Sequence, residues 1–281
     1  MLTISNHDRD RLGLTYVYPV LSRRAGGLSI GVNLNPNNAC NWRCMYCQVP
    51  DLQRGAAPPV DVDLLVRELS GFLDDVLHGD FFQRDHVPPE ARTIRDLAIS
   101  GNGEPTSAAE FPDVVTRIGE LLRARGLLGR FALVLISNGS LVHLPRVREG
   151  LQRWAELGGE LWFKLDSATD AGLKRINGAE ISAERVWRNL QSAAVLCPTW
   201  LQTCVFRFDG QPPDAVEQAA YLKRLKKARD LELPLRGVLL YGLARPSRQP
   251  EAPRLSRVED DWLQAFARRI RATGFAVKVS P

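Results

Sequence analysis

The sequence predicts a parallel α/β fold, and three observations carry that expectation. Short β-branched runs alternate with amphipathic stretches, six such strand-then-helix units follow one another with no long linker between them, and no internal repeat divides the chain. With 281 residues, 44% of them hydrophobic and 25% charged, the chain has the balance of a globular protein and is long enough for one large core or two modest ones. Periodicity leaves two architectures open: a barrel, or an open sheet with helices wound on both sides.

The expected strands are Leu28–Leu34, Ile94–Ser100, Phe131–Ser137, Leu161–Leu165, Thr203–Phe208 and Leu235–Tyr241. Between them, Leu65, Leu69, Phe72 and Val76 recur at helical spacing, as do Val114, Ile118, Leu121 and Leu122. Trp262, Phe266 and Ile270 form a last stripe at steps of four. The proline-rich "ARPSRQPEAPR" at 244–254 reads as a surface loop before the last helix and not as a domain boundary.

Several classes are set aside by composition. The longest apolar runs, such as Phe131 to Ile136, fall far short of the ~20 residues of a membrane-spanning helix. The start, "MLTISNHDRDRLG", lacks the apolar stretch of a secretory signal, so a cytoplasmic protein with no membrane partner is expected. The net charge of +5 is compatible with an anionic partner without requiring one.

Five cysteines, three of them within eight positions, do not resemble a secreted disulfide framework. Cys40, Cys44 and Cys47 follow the spacing C-x3-C-x2-C, a loop short enough to wrap a compact inorganic cube with each thiolate on a different iron. Half of a zinc ribbon is the rival reading of Cys44 and Cys47; it needs a fourth ligand from Cys197, Cys204 or one of four scattered histidines. Cys197 and Cys204 are expected as buried core thiols, and His7, His78, His86 and His143 are assigned no ligand role. In either α/β architecture ligands gather at the carboxyl ends of the strands. The cysteines follow the first strand, "GNGEPT" (101–106) the second and "SNG" (137–139) the third, while "KLD" (164–166) ends the fourth, so four polar motifs converge on one face.

"CNWRCMYC", with Tyr46 before the third cysteine, followed by "SGNGEPT", "ISNGSL" and "FKLDSATDAGLKRIN", resembles the radical S-adenosylmethionine (radical SAM) superfamily. The resemblance covers roughly residues 15–180 and is nearest to the branch of Fe–S oxidoreductases related to the wyosine-forming tRNA enzymes. It implies a partial parallel (β/α)6 barrel open at one side, with a [4Fe–4S] cluster on Cys40, Cys44 and Cys47. The open iron would bind the amino and carboxylate groups of S-adenosylmethionine (SAM), and reductive cleavage would yield a 5′-deoxyadenosyl radical that abstracts hydrogen from a substrate.

The resemblance further implies SAM contacts from Gly101, Gly103 and Glu104, from Ser137 and Asn138, from Lys164 and Asp166, and from Tyr46. Glycines suit the 101–104 turn where backbone approaches a ligand closely or φ turns positive. Ser137 and Asn138 equally suit a helix or turn cap, and Lys164 with Asp166 equally suit a buried ion pair. Three departures stand out: the turn reads Gly-Asn-Gly-Glu instead of Gly-Gly-Glu, Lys164 stands where many members carry Ser, and no extra cysteines precede Cys40.

The expected division is an N-terminal extension at 1–26, a core barrel at 27–245, and a C-terminal loop, helix and short strand at 246–281. No flavin or nicotinamide fingerprint is present, so an external one-electron donor of flavodoxin or ferredoxin type is expected. Lys223, Arg224, Lys226, Lys227 and Arg229, with Arg268, Arg269 and Arg271, offer basic helix surfaces, which puts an RNA base among the candidate substrates. Two alternatives remain open: an activase that places a radical on a partner protein, and a non-enzymatic zinc- or RNA-binding module.

Overall fold

Every parallel strand pair needs a crossover, and the amphipathic stretches supply at least one helix for each. The computed structural model describes residues 12–22 and 26–280. Its main sheet contains β1 (Val17–Ser22), β2 (Gly27–Val32), β3 (Ile94–Ile99), β4 (Ala132–Ser137), β5 (Glu160–Lys164), β6 (Thr199–Cys204), β7 (Leu235–Tyr241) and β8 (Val277–Ser280). The strands lie side by side in chain order. β1 runs antiparallel to β2, and every later neighbour is parallel. β1 and β8 are the two free edges, so the curled sheet is a half-barrel, open at one side.

The longer helices between these strands are α1 (Val62–His78), α2 (Phe111–Ala124), α3 (Pro145–Glu156), α4 (Asp170–Asn177), α5 (Ala183–Leu196), α6 (Ala215–Asp230) and α7 (Asp260–Arg271). Because strand order follows chain order throughout, right-handed crossovers place these helices on one side of the sheet. Their starts are written in the sequence: Asp61 accepts from the Leu64 N–H at 2.8 Å, and Asp214 accepts from the Glu217 N–H at 2.9 Å. No helix among the described residues is long and apolar enough to cross a membrane.

Strand alternation sorts the two faces. Leu28, Ile30, Leu97, Ile99, Leu133, Leu135, Leu161, Phe163, Leu201, Val238 and Leu240 point out into the core shared with the helices. Ser29, Gly31, Asp96, Ala98, Val134, Ile136, Trp162, Lys164, Gln202 and Leu239 point the other way, into the lumen. The core is apolar and continuous, whereas the lumen is mixed in polarity.

The predicted strands and the structure differ in three places. The fifth expected strand, Thr203–Phe208, lies four residues too late, because β6 is Thr199–Cys204. Its apolar continuation serves another purpose: Phe206 packs with Met45, Tyr46, Cys204 and Leu243 in a small cluster beneath the cysteine loop, with Phe208 at its edge. Val17–Ser22, within the expected extension, pairs along the whole of β2. The 244–254 segment is not simply a surface loop, since Ser247 and Gln249 are buried.

Phe111 at the start of α2 is fully buried and lies so close to Gly150 of α3 that a Cβ there would sit 2.4 Å from its ring. Phe111→Ala is expected to lower the free energy of unfolding by about 3–5 kcal/mol through loss of burial and a residual cavity. Urea denaturation followed by circular dichroism measures this, and a change below about 1 kcal/mol would show that the helix layer does not depend on this contact.

Candidate functional site

A cavity of about 750 Å³ occupies the lumen and its mouth at the carboxyl ends of the strands. Cys40, Cys44, Cys47, Tyr46, Gly101, Gly103, Glu104, Asn138 and Lys164 all line it. Ser137 and Asp166 do not; they stand behind its wall. The expected convergence of four motifs on one face is therefore present, with two residues acting from the second layer.

The cysteine loop is irregular and partly buried, so its backbone polar groups need partners other than a regular ladder. Two come from the end of α4: Arg43 N–H donates to the Asn177 carbonyl and Met45 N–H to the Ile176 carbonyl, both at 2.9 Å. The Asn177 side chain donates to Cys44 Sγ at 3.2 Å and to Asp166 Oδ2 at 2.7 Å. On the other side, Ser247 Oγ donates to the Met45 carbonyl at 2.7 Å, Arg248 N–H to the Cys47 carbonyl at 2.8 Å and Gln249 Nε2 to the Val49 carbonyl at 3.0 Å. Arg43 and Glu251 close this strap with an ion pair at 2.6 Å.

All three thiols are free. Burial pushes Cys40 up to about 11 and Cys44 to about 12, so metal binding would have to displace their protons. No three His, Cys, Asp or Glu side chains among the described residues converge on a point that suits one ion. A closed mononuclear zinc centre needs such convergence, whereas a cube that offers each thiolate its own iron does not. An all-thiol set, with the Asn102 Oδ1 acceptor buried and unpartnered in the same cavity wall, fits an iron–sulfur cluster and an adjacent ligand with a donor group.

The 101–104 turn needs its glycines for contact with its own chain. A Cβ on Gly101 would lie 2.2 Å from Asn33 Oδ1, and one on Gly103 would lie 2.0 Å from the Ala39 carbonyl. Neither has a positive φ, so the expected conformational reason does not apply. Asn33 Oδ1 clamps the turn to the end of β2 by accepting from Asn102 N–H at 3.0 Å.

Glu104 turns its carboxylate away from the cavity. It accepts from Thr106 Oγ1 at 2.6 Å, from Ser137 Oγ at 2.7 Å and from Asn138 N–H at 2.7 Å. Burial raises its pKa, and these donors counter the rise. Ser137 thus anchors Glu104, while Asn138 Nδ2 reaches across to Asn41 Oδ1 at 2.8 Å and ties β4 to the cysteine loop.

Lys164 and Asp166 were expected on one face, but β5 ends at Lys164 and the alternation ends with it. Asp166 accepts from Tyr46 Oη, Asn177 Nδ2 and the Cys204 N–H, and lines a separate cavity of about 310 Å³. Lys164 Nζ faces the main cavity, donates to Tyr241 Oη at 3.2 Å and lies 5.0 Å from the centre of the Tyr46 ring. Burial by itself would lower its pKa, but Tyr241, Asp166 and Cys44 outweigh that, so it is held above the usual lysine value as an ammonium.

Asn41, Asn177 and Tyr241 were not singled out from sequence. Asn177 ends the quoted "DAGLKRIN" stretch, and its signal was its place just before Gly178, which closes α4 at φ 53°. Cys197 and Cys204 are both buried as expected, and Cys204 also forms part of the cavity wall. On α6, Arg224 and Lys227 lie over the Trp187 ring at 5.0 and 5.3 Å, and Arg224 pairs with Glu184. Lys223, Lys226 and Arg229 are exposed.

The family model of the Radical SAM superfamily matches residues 34–220. A UPF0026 protein of Helicobacter pylori is 29% identical over 144 residues, 48% of this chain and 38% of that protein, so this chain spans well under two thirds of that relative. A UPF0026 protein of Synechocystis is 27% identical over 231 residues, 78% of this chain and 74% of that protein. The structure of TYW1 with a lysine-pyruvate adduct bound aligns with a TM-score of 0.60 at 15% identity, covering 97% of this chain and 79% of that one. A radical SAM methyltransferase from Sphaerobacter thermophilus aligns with a TM-score of 0.58 at 14% identity, covering 90% and 66%. At such identities the structural likeness shows the fold.

Gly103→Ala forces the turn off the cysteine loop, since the new methyl has no room against the Ala39 carbonyl. The variant is expected to fold, by circular dichroism, and to retain several-fold less iron than the parent after anaerobic reconstitution. Equal iron content would show that the turn does not shape the cysteine loop.

Proposed function

Because the chain belongs to the radical SAM superfamily, we propose that Cys40, Cys44 and Cys47 hold the [4Fe–4S] cluster that enzymes of this family use, and that SAM binds beside it in the 750 Å³ cavity. The observation that supports this most is the meeting of three free thiols, the 101–104 turn and the Lys164 ammonium on one cavity wall inside the matched region. When bound, cluster and SAM supply the difficult chemistry, a one-electron cleavage to methionine and a 5′-deoxyadenosyl radical.

The residues of this chain place and protect that chemistry. The strap at 247–251 holds the inner side of the loop that carries the partly buried thiols. Asn102 Oδ1, buried and without a partner, is an acceptor suited to the SAM amino group, and Lys164 is a fixed cation suited to its carboxylate. Glu104, Ser137, Asn138 and Asp166 act as positioning residues, holding the 101–104 turn, the end of β4, Tyr46 and Asn177. Radical SAM enzymes draw their electron from an external donor, and a flavodoxin or ferredoxin is the donor we propose here.

Anaerobically reconstituted protein is expected to be brown, to bind about four irons, and to release 5′-deoxyadenosine from SAM on reduction. Cys40→Ala, Cys44→Ala and Cys47→Ala are each expected to lose both properties. Colourless protein with one zinc would favour the binding module, and a glycyl radical signal that appears only with an added partner would favour the activase.

A polynucleotide carrier for the substrate is supported by the exposed Lys223, Lys226 and Arg229. Bulk tRNA is expected to bind at low salt and to weaken steeply as salt rises. Changing these three residues together to Glu is expected to remove that binding, and unaffected binding would leave α6 without this role.

A further inference from the structure

The lumen holds one buried polar side chain that the proposed function does not use. Gln202 of β6 is 3% exposed and lines the main cavity. Its amide makes no hydrogen bond to another described residue and opens into the cavity. Several other polar groups facing the lumen are engaged: the Trp162 indole N–H donates to the Glu160 carboxylate at 2.8 Å, Ser29 Oγ donates to Asp96, and Lys164 donates to Tyr241. A ligand that fills this part of the lumen closes the amide off from water, so one that completes its hydrogen bonds is favoured over one that leaves them unmade.

The surroundings narrow what that ligand offers. In register, Gln202 lies between Lys164 of β5 and Leu239 of β7. Trp162, two residues before Lys164 and on the same face, also lines the cavity, together with Ala98, Val134 and Ile136. An amide side chain presents a donor and an acceptor side by side. A carboxylate answers only the donor and an ammonium only the acceptor. A trans peptide group carries its N–H and C=O on opposite edges. A ring lactam places N–H and C=O on one edge, satisfies both halves of the amide, and has a flat face for the indole and small aliphatic walls.

We propose that Gln202 is the substrate-recognising residue of the lumen and that it reads the lactam edge of a planar, neutral ring of the uracil type, with Trp162 as the adjoining aromatic wall. That the molecule bearing this ring gives up a hydrogen atom, from a saturated carbon outside the ring, rests on the radical SAM reading; that the ring binds at Gln202 does not.

The test is equilibrium dialysis of the reconstituted full chain, in the presence of SAM, with three radiolabelled probes: uracil, 1,3-dimethyluracil and propionamide. Uracil is expected to bind saturably. Dimethyluracil has the ring without the N–H and propionamide has the edge without the ring, and each is expected to bind at least about tenfold more weakly, because a site built to hydrogen-bond a ligand rejects analogues that leave its groups unpaired. Gln202→Leu and the near-isosteric Gln202→Glu are both expected to bring uracil down to the level of dimethyluracil, with iron content reporting that the cysteine loop is intact. Absence of saturable uracil binding, equal binding of the three probes, or unchanged uracil binding in Gln202→Glu would each overturn the proposal. Loss of SAM binding with uracil binding retained in either variant would also overturn it, by assigning Gln202 to SAM. If uracil binds through Gln202 but the protein holds no iron and leaves SAM intact, the lumen site stands and the radical SAM reading of the cysteines fails.

Discussion

An irregular loop set into the mouth of a half-barrel must satisfy its backbone polar groups without a sheet or helix of its own. Most of the architecture around Cys40, Cys44 and Cys47 follows from that constraint. The carbonyl-rich end of α4 accepts from Arg43 and Met45, and the 247–249 segment donates to Met45, Cys47 and Val49. Arg54 adds bonds to the carbonyls of Asn41 and Gly178, joining the loop to the turn after α4. Segments far apart in the chain therefore exist in their observed form because the loop between β2 and α1 has groups they complete.

A second layer of carboxylates holds this arrangement without adding negative charge to the cavity wall. Glu104 and Asp166 both direct their oxygens behind the wall, where Glu104 accepts from four neighbouring groups and Asp166 from three. Turned the other way, they would oppose the thiolates that a metal cluster requires. What the wall presents instead is the Lys164 ammonium, the unpartnered Asn102 oxygen and the thiols. The charge pattern suits a zwitterionic ligand next to an anionic cluster, and it arises from which way two buried side chains point.

The lumen and the mouth are chemically distinct. Near the mouth the polar groups come from loops and are densely cross-linked, as Asn138, Asn41 and Ser140 show. Deeper in, they come from strand residues that alternate with the outer core, and between Lys164 and Leu239 the Gln202 amide opens into the cavity with no hydrogen bond to another described residue. Cross-linked loops suit a ligand held in one pose, while a strand-borne amide with free hydrogen-bonding capacity suits a ligand that completes it.

The sequence by itself determined the elements and the chemistry. Strand and helix periods, the cysteine spacing and the Gly-Asn-Gly-Glu turn are all local, because each is a pattern within a few residues. It misplaced β6, since Thr203–Phe208 is as apolar as a strand but its aromatics cover the cysteine loop. It also placed Lys164 and Asp166 on one face, because periodicity cannot show that a strand stops between them. Only the tertiary structure decided that Asn177 meets Cys44, that Ser247 straps the loop from 200 residues away, and that Glu104 faces inward. These are long-range hydrogen bonds of buried groups; their partners are chosen by where the curled sheet brings the chain together, and no local pattern in the sequence encodes that choice.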